Sequence, residues 1–526
     1  MPAAVAPGRR DVLAGLAAVA GAAGLAVAQT APAQAAGYAP QPDAATPLPT
    51  PEELHLIRRW SYGYRPSQLA AVRAAGGVDA WFEAQLSPES VAESALALQI
   101  DDWWPCIGAS PAEIVSRDRD RIERSWVAMA NYARFAMLKR MESERQLLEL
   151  MTEFWEDHLY VPLDDDGVYP FRIDFGHGIR RRALASFEQL LQFSTVHPAM
   201  SCSLDNAGST KRAINENLGR ELLELHTVGQ GNYTEDDVKN SARLLTGYRV
   251  KMWTTWDATY RPDDHYVGPV RILDFVHANE QADGRAAVQA YLSYLAHHPK
   301  TAERIARKLA RRFVSDDPSP GLVDHLAQVY LQNDTQVKPM LRALFAHQEY
   351  RSSAGAKVKT PTDEVVSVFR ALDARFSRPA AGKAGEEYGA NAILWVSESI
   401  GSTPWSHPRP DGPPAVNSAW VSPSRFLGSW KVHWEAGNAY WPDTGIAYRP
   451  GAERLLPDAS MPLARFVDRL SRTLTGEASS PALVQACSMT TGHAPTTTVS
   501  AGHELLGWKL GRLLALVLDQ PNFYLR

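Results

Sequence analysis

The chain of 526 residues has 3 cysteines, Cys106, Cys202 and Cys487. They form no Cys-x-x-Cys pair and no zinc-finger spacing, so neither a redox dithiol nor a structural zinc site is encoded. Their odd number leaves one disulfide with a free thiol, or three buried thiols, as the two readings. Positive charge is not in surplus: 54 Lys and Arg stand against 59 Asp and Glu, a formal net charge of −5. That balance speaks against nucleic acid, which calls for a clustered basic surface. Past the N-terminus no stretch reaches about 18 uninterrupted apolar residues, so the mature chain is expected to have no stable membrane span. Strand-period alternation is scarce. KMWTTWDATYR, at 251–261, and PVRILDF, at 269–275, are the best candidates, enough for a small hairpin. No internal repeat stands out. Both the H-E-x-x-H motif and the Glu-x-x-His spacing of di-iron bundles are missing.

The N-terminus is more informative. Arg9 and Arg10 precede an Ala/Gly/Val/Leu run that ends at Ala33-Gln34-Ala35, a small-x-small cleavage pattern. Paired arginines before such a run resemble a twin-arginine export signal. Gly8 and Ala14 depart from that pattern, while Val12-Leu13 fits it. The expectation is an export signal over 1–36, a flexible leader over 37–50 and a single helical domain over 51–526. The run is too poor in large apolar residues to make a good anchor.

From Pro51 onward, apolar residues recur at three- and four-residue spacing, as in RQLLELMTEFWEDHLYV and TAERIARKLARRFV. The reading is a mainly α, multi-helix globular body with at most a small β-hairpin. Thr234 to Asp237 has the form of a capping box, and Gly247 the form of a stop. Residues 377–462 change character. They are rich in Gly, Pro and Ser and hold Trp395, Trp405, Trp420, Trp430, Trp434 and Trp441. So many indoles speak against disorder. An ordered, loop-rich wall or lid is expected there.

Three helices carry polar groups on apolar faces. In NENLGRELLELHTVG, 215–229, a wheel of 100° per residue puts Leu218, Leu222 and Leu225 in one stripe. Asn217, Glu221 and Glu224 form a second stripe beside it, with Asn215 and His226 on the other flank. In 146–160, Leu147, Met151 and Phe154 make the apolar face, with His158 in its middle and Glu149 and Glu153 on the far side. In 301–314, Arg312 lies among Ile305, Leu309 and Phe313, with Lys308 at the margin. A guanidinium there needs a carboxylate from another helix, because an unpaired buried charge costs several kcal/mol. Each pattern also has a plain structural reading: a solvated acidic edge, a core histidine, a packing ion pair.

SFEQLLQFSTVHPAMSCSLDN, the Asn-Glu-Asn helix with its Leu-His-Thr ending, and HHPKTAERIARKLARRFVSDDP closely resemble the large bacterial family catalogued as domain of unknown function 1800. LLELMTEFWEDHLYV and PRPDGPPAVNSAWVSPSRFLGSW are similar to two further segments of that family. The resemblance runs over about 50 to 525. His265-Tyr266 stands where the family has a His-Asp pair. The resemblance implies an exported, mainly helical protein and names no reaction.

Three functions fit these residues. The first is an exported hydrolase acting on a glycan or other polar polymer, for which glycoside hydrolysis commonly needs two carboxylates, one protonated and one ionised, across the scissile bond. Its expected catalytic residues are Glu221, Glu224, Asp205, His158 and His226. Asn206, Asn215, Asn217, Arg312, Trp405 and Trp420 are its expected substrate contacts. The second is a divalent metal site built from Glu, His and Asp of several helices. The third is a non-catalytic envelope binding or assembly protein. No specific cofactor follows from the sequence.

Overall fold

Helix starts are written locally. Thr50, Ser110, Thr234 and Thr360 each accept the N3 amide while the acid at N3 answers the cap, a reciprocal capping box. The computed structural model describes residues 38–380, 388–448 and 460–526. The expected export segment, 1–36, lies outside them. The described residues are mainly α, as the periodicity implies. Among them no helix is long and apolar enough to cross a membrane.

Strands occur only as two-stranded antiparallel pairs. Tyr248–Val250 pairs with Ala258–Tyr260, and Val270–Ile272 with Phe275–His277. The first expected stretch is therefore mostly a turn, with Trp253 and Trp256 at positive φ. Two further pairs join distant segments: Arg375–Phe376 with Ile446–Ala447, and Ser460–Pro462 with Thr498–Ser500. Elements of two or three residues leave no period to read.

The helix Gln146–His158 is central, and it corrects the amphipathic reading. It is buried all round: Glu149, Glu153 and Glu156 are 5%, 6% and 1% exposed. Each acid meets a guanidinium from another helix. Glu149 pairs with Arg180. Glu153 pairs with Arg140 at 2.8 Å and Arg312 at 2.6 Å, and accepts the Tyr62 hydroxyl at 3.0 Å. Glu156 pairs with Arg172 at 2.6 Å and accepts the Tyr132 hydroxyl at 2.9 Å. Arg312 also reaches Asp363 at 3.4 Å, and Asp363 holds Arg526 at 2.7 Å.

The segment read as loop-rich contains two helices, Gly389–Ser399 and Pro423–Gly437. The long loop between them supplies Trp405, stacked on Tyr132 at 5.1 Å with the Arg172 guanidinium 4.6 Å from its ring centre. The end of the expected leader is tied down: Asp43 accepts from Arg469, and Arg472 donates to the Gln41 carbonyl at 2.9 Å. Cys106, Cys202 and Cys487 are all buried and unpaired with one another.

The Glu156–Arg172 pair has both side chains at 0% exposure. Glu156→Gln leaves the guanidinium buried without its counter-charge, so a loss of roughly 3–5 kcal/mol is expected. Glu83→Gln, which breaks the exposed Arg342 pair, is expected to cost under about 1 kcal/mol. Urea unfolding of both variants checks the contrast.

Candidate functional site

The Asn-rich helix is regular only over Asn217–Glu221 and continues as one π turn over Leu222–His226. The Thr227 hydroxyl donates to the Leu222 carbonyl at 2.6 Å, and the Gly229 amide to Leu223 at 2.9 Å. The extra residue in the turn breaks the 100° wheel. Leu218, Leu222 and Leu223 are buried, and Leu225 is not. Leu225 instead faces a cavity, and its carbonyl accepts Arg304 Nε at 3.0 Å. Turns of this kind recur at functional sites.

That cavity measures about 340 Å³. Its walls are the end of Gln146–His158, the helix Pro299–Phe313, Leu225 and the loop 409–420. The loop is pinned. Asn417 accepts the Val358 amide at 3.0 Å and donates to Ala356 at 2.8 Å, and Trp420 Nε1 donates to Pro414 at 2.8 Å. Gly412 sits at φ 74°, and a Cβ there would come within 2.3 Å of the Asp157 carbonyl oxygen. Only glycine lets the loop approach the helix end so closely.

Asp157 and Lys308 line this cavity. The Asp157 carboxyl is pushed well above its usual range by burial and by the charge of Glu153. Arg140 and Arg312 oppose the shift, but Glu153 takes their short ion pairs. Lys308 is pushed down to about 7 by burial and by Arg304. Its ammonium donates to His158 Nδ1 at 2.9 Å, while His158 Nε2 donates to the His226 carbonyl at 3.1 Å. This fixes a neutral His158 with its proton on Nε2. Burial and Lys308 hold the His158 imidazole well below its usual value and His226 at about 3.

Of the residues the sequence nominates, His158, Arg312 and Trp420 line the cavity. Trp405 lines a pocket of about 40 Å³ that shares Asp157, Arg312 and Trp420 with it. His226 contributes its backbone carbonyl. Glu221 is half-buried, raised by burial and Glu224, and also feels Asp411 of the cavity lining. Glu224 accepts the Tyr233 hydroxyl. Asp205 is exposed and accepts Asn217 Nδ2 at 3.0 Å; Asn215 Oδ1 accepts the Asn217 amide at 2.8 Å. Asn206 is buried and donates to the Leu245 carbonyl at 3.1 Å. These last five line neither pocket, and Asp205, Asn215 and Asn217 instead bond to one another at the start of the helix.

Sequence reasoning passed over Asp157, Arg304, Arg311 and Arg526, and gave Lys308 no role. A signal existed: Arg304, Lys308, Arg311 and Arg312 stand at i, i+4, i+7 and i+8, one helix face. Among the described residues, Glu188, His297 and Asp334 bring possible metal-ligating atoms within 4.8 Å. Both ring nitrogens of His297 are engaged, Nδ1 with the Ser293 carbonyl and Nε2 with Asp334. Its pKa is raised: burial works against the charged form, and the bonds to Ser293 and Asp334 outweigh it.

These shifts predict a pH dependence of stability. His226 has its folded value at about 3 against a usual 6.5. Between those values the unfolded chain is protonated and the native one is not. Stability is therefore complete above about 6.5 and falls as the pH drops towards about 3, by up to about 1.4 kcal/mol per pH unit for such a group. Asp157 has the opposite sign. Its native carboxyl keeps a proton that the unfolded chain releases above 3.8, so it costs stability as pH rises. Asp157→Asn is expected to raise Tm by a few degrees at pH 7, a gain that vanishes near pH 4. Thermal melts across that range measure both effects.

No curated protein matches the chain, and no solved structure does. The family model described as protein of unknown function (DUF1800) matches residues 55–525, which takes in nearly all of the helical body and every residue lining the cavity except Arg526. The chain therefore belongs to the DUF1800 family.

Proposed function

We propose that the protein is an exported hydrolase of a polar polymer, glycan being the class that suits it best, with the 340 Å³ cavity as its active site. One observation carries the reading: the Asp157 carboxyl, pushed well above its usual range by burial and Glu153, and the Lys308 amine, pushed down to about 7 by burial and Arg304, line the same cavity. Groups whose environments drive their pKa values in opposite directions are the usual sign of an acid–base division of labour. Asp157 gives its proton to the leaving oxygen. Lys308, in its neutral form, takes one from the attacking water. His158 orients the amine and does not compete for the proton, because its own basicity is suppressed. The helix-borne carboxylates stay in this reading as groups near the cavity, Glu221 within the field of Asp411 and Glu224 acting on Arg304, rather than as the acid–base pair. The export part rests on the paired arginines and the Ala33-Gln34-Ala35 site. A second reading, a non-catalytic envelope binding protein, is favoured by the number of charges that serve helix packing.

Turnover, once found on a glycan panel, should rise with pH through about 7 as Lys308 loses its proton. It should fall again where Asp157 ionises. Lys308→Met should lower kcat by roughly 10²–10⁴-fold and remove the limb near 7, with Tm held or raised. Unchanged turnover in Lys308→Met, or in Asp157→Asn, rejects the assignment. If wild-type protein binds the polymer without cleaving it, the binding reading replaces the hydrolase. N-terminal sequencing of exported material should find a mature chain beginning near Ala36; a membrane-bound chain that keeps Arg9 and Arg10 overturns the export signal.

A further inference from the structure

The cavity is far from electrically neutral. Seven of the side chains lining it are Lys or Arg, and two are carboxylic acids, Asp157 and Asp411. Some of the cations are spoken for. Arg312 and Arg526 share Asp363, Lys357 pairs with Asp316, and Arg409 lies 3.5 Å from Asp411. Arg304 spends its Nε on a backbone carbonyl and forms no ion pair among the described residues. Among the described residues the Arg311 side chain forms neither an ion pair nor a hydrogen bond, and its Nε is buried without a partner. Arg526 is 4% exposed, and both its Nε and its Nη2 lack partners.

Leaving guanidinium donors unsatisfied in a partly desolvated hollow is costly. The expense is not explained by packing: among the described residues neither Arg304 nor Arg311 forms an ion pair, and Arg304 only feels the charge of Glu224 without contacting it. Their helix places them at i and i+7, a turn to either side of Lys308, on the face turned to the cavity. Guanidinium forks match oxyanions in shape, offering paired N–H donors to two oxygens. A cavity of 340 Å³ is also of the size that holds a sugar-sized unit.

We propose that Arg304, Arg311 and Arg526 form an anion subsite, and that the ligand is an acidic glycan whose carboxylate, sulfate or phosphate ester is held there beside Lys308. This names the substrate class for the hydrolase reading and rests on it for the word substrate, although the binding claim stands without turnover. The subsite also gives the loop 409–420 a purpose. Arg409 and Trp420 of that loop line the same cavity as the cations, so an oxyanion bound there is partly withdrawn from bulk water, which strengthens its attraction to guanidinium.

The test is calorimetric titration of the mature chain with three probes: oligogalacturonate, a sulfated oligosaccharide and a neutral oligosaccharide of matched length. At least one acidic probe should bind 10-fold or more tighter than the neutral one, and the preference should weaken with added salt. Arg311→Met is the informative variant, since no ion pair or hydrogen bond of the fold is lost with it. It should lower acidic binding by about 10-fold, which is about 1.4 kcal/mol, leave neutral binding unchanged and hold or raise Tm. Inorganic sulfate and acetate, run as competitors, separate recognition of the oxyanion alone from recognition of the sugar that bears it. Equal affinity for acidic and neutral probes overturns the proposal, as does unaltered acidic binding in Arg311→Met. The two readings fail separately. Acidic binding that survives in Lys308→Met without any turnover in wild type keeps the subsite and removes the hydrolase. Turnover of a neutral polymer with no acidic preference does the reverse.

Discussion

The Glu153 carboxylate sets the geometry of everything around it. It takes Arg140 at 2.8 Å from the helix Ser125–Glu142, Arg312 at 2.6 Å from the helix Pro299–Phe313, and the Tyr62 hydroxyl at 3.0 Å. Charge then alternates outward, from Arg312 to Asp363 and from Asp363 to Arg526. Such a chain is weak evidence for net stability, since well-packed apolar residues of the same volume often do as well. What it adds is direction. An ion pair has a defined length and a defined face, so Arg312 fixes the rotation of its helix. With that rotation fixed, Arg304, Lys308 and Arg311 must turn to the cavity.

The same network accounts for the raised pKa of the Asp157 carboxyl. Asp157 lies one helical turn beyond Glu153, close to the same two arginines. Those arginines have already given their short contacts to Glu153. Asp157 therefore feels burial and the negative charge of its neighbour more than it feels the cations. An acid is made here by saturating the bases near it, with no need for an apolar pocket. The counterpart on the opposite wall follows similar logic. Lys308 is crowded by Arg304, and its hydrogen bond to a neutral imidazole supplies no counter-charge.

How much of this was legible in the sequence depends on which constraint was local. Helix identity was, because three- and four-residue spacing and the Thr234 capping box act within a few residues. His158 stood out on its apolar face, and Arg312 announced that it needed a carboxylate from elsewhere. The burial of Glu149, Glu153 and Glu156 was not legible. A helical wheel assigns acids to water, and the arginines that overrule it come from helices elsewhere in the chain. The cationic stripe was present in the spacing of 304, 308, 311 and 312 but was masked by the apolar face read on the same helix. The strand pair of Arg375–Phe376 with Ile446–Ala447 is too short to carry any pattern.

The Asn-Glu-Asn helix shows why a correct motif can still mislead about roles. Its start is polar because Asn215 and Asp205 satisfy the amide and side chain of Asn217, a local solution to the unpaired donors of a first turn. Its end is unusual because the turn from Leu222 to His226 takes in an extra residue. At this helix end the last carbonyls have no partner within the helix and are offered outward. Leu225 gives one to Arg304, and His226 gives another to His158. The imidazole so anchored presents its Nδ1 to Lys308. The residues that make this stretch recognisable thus act on the cavity through backbone geometry, at one remove from the side chains that would meet a ligand.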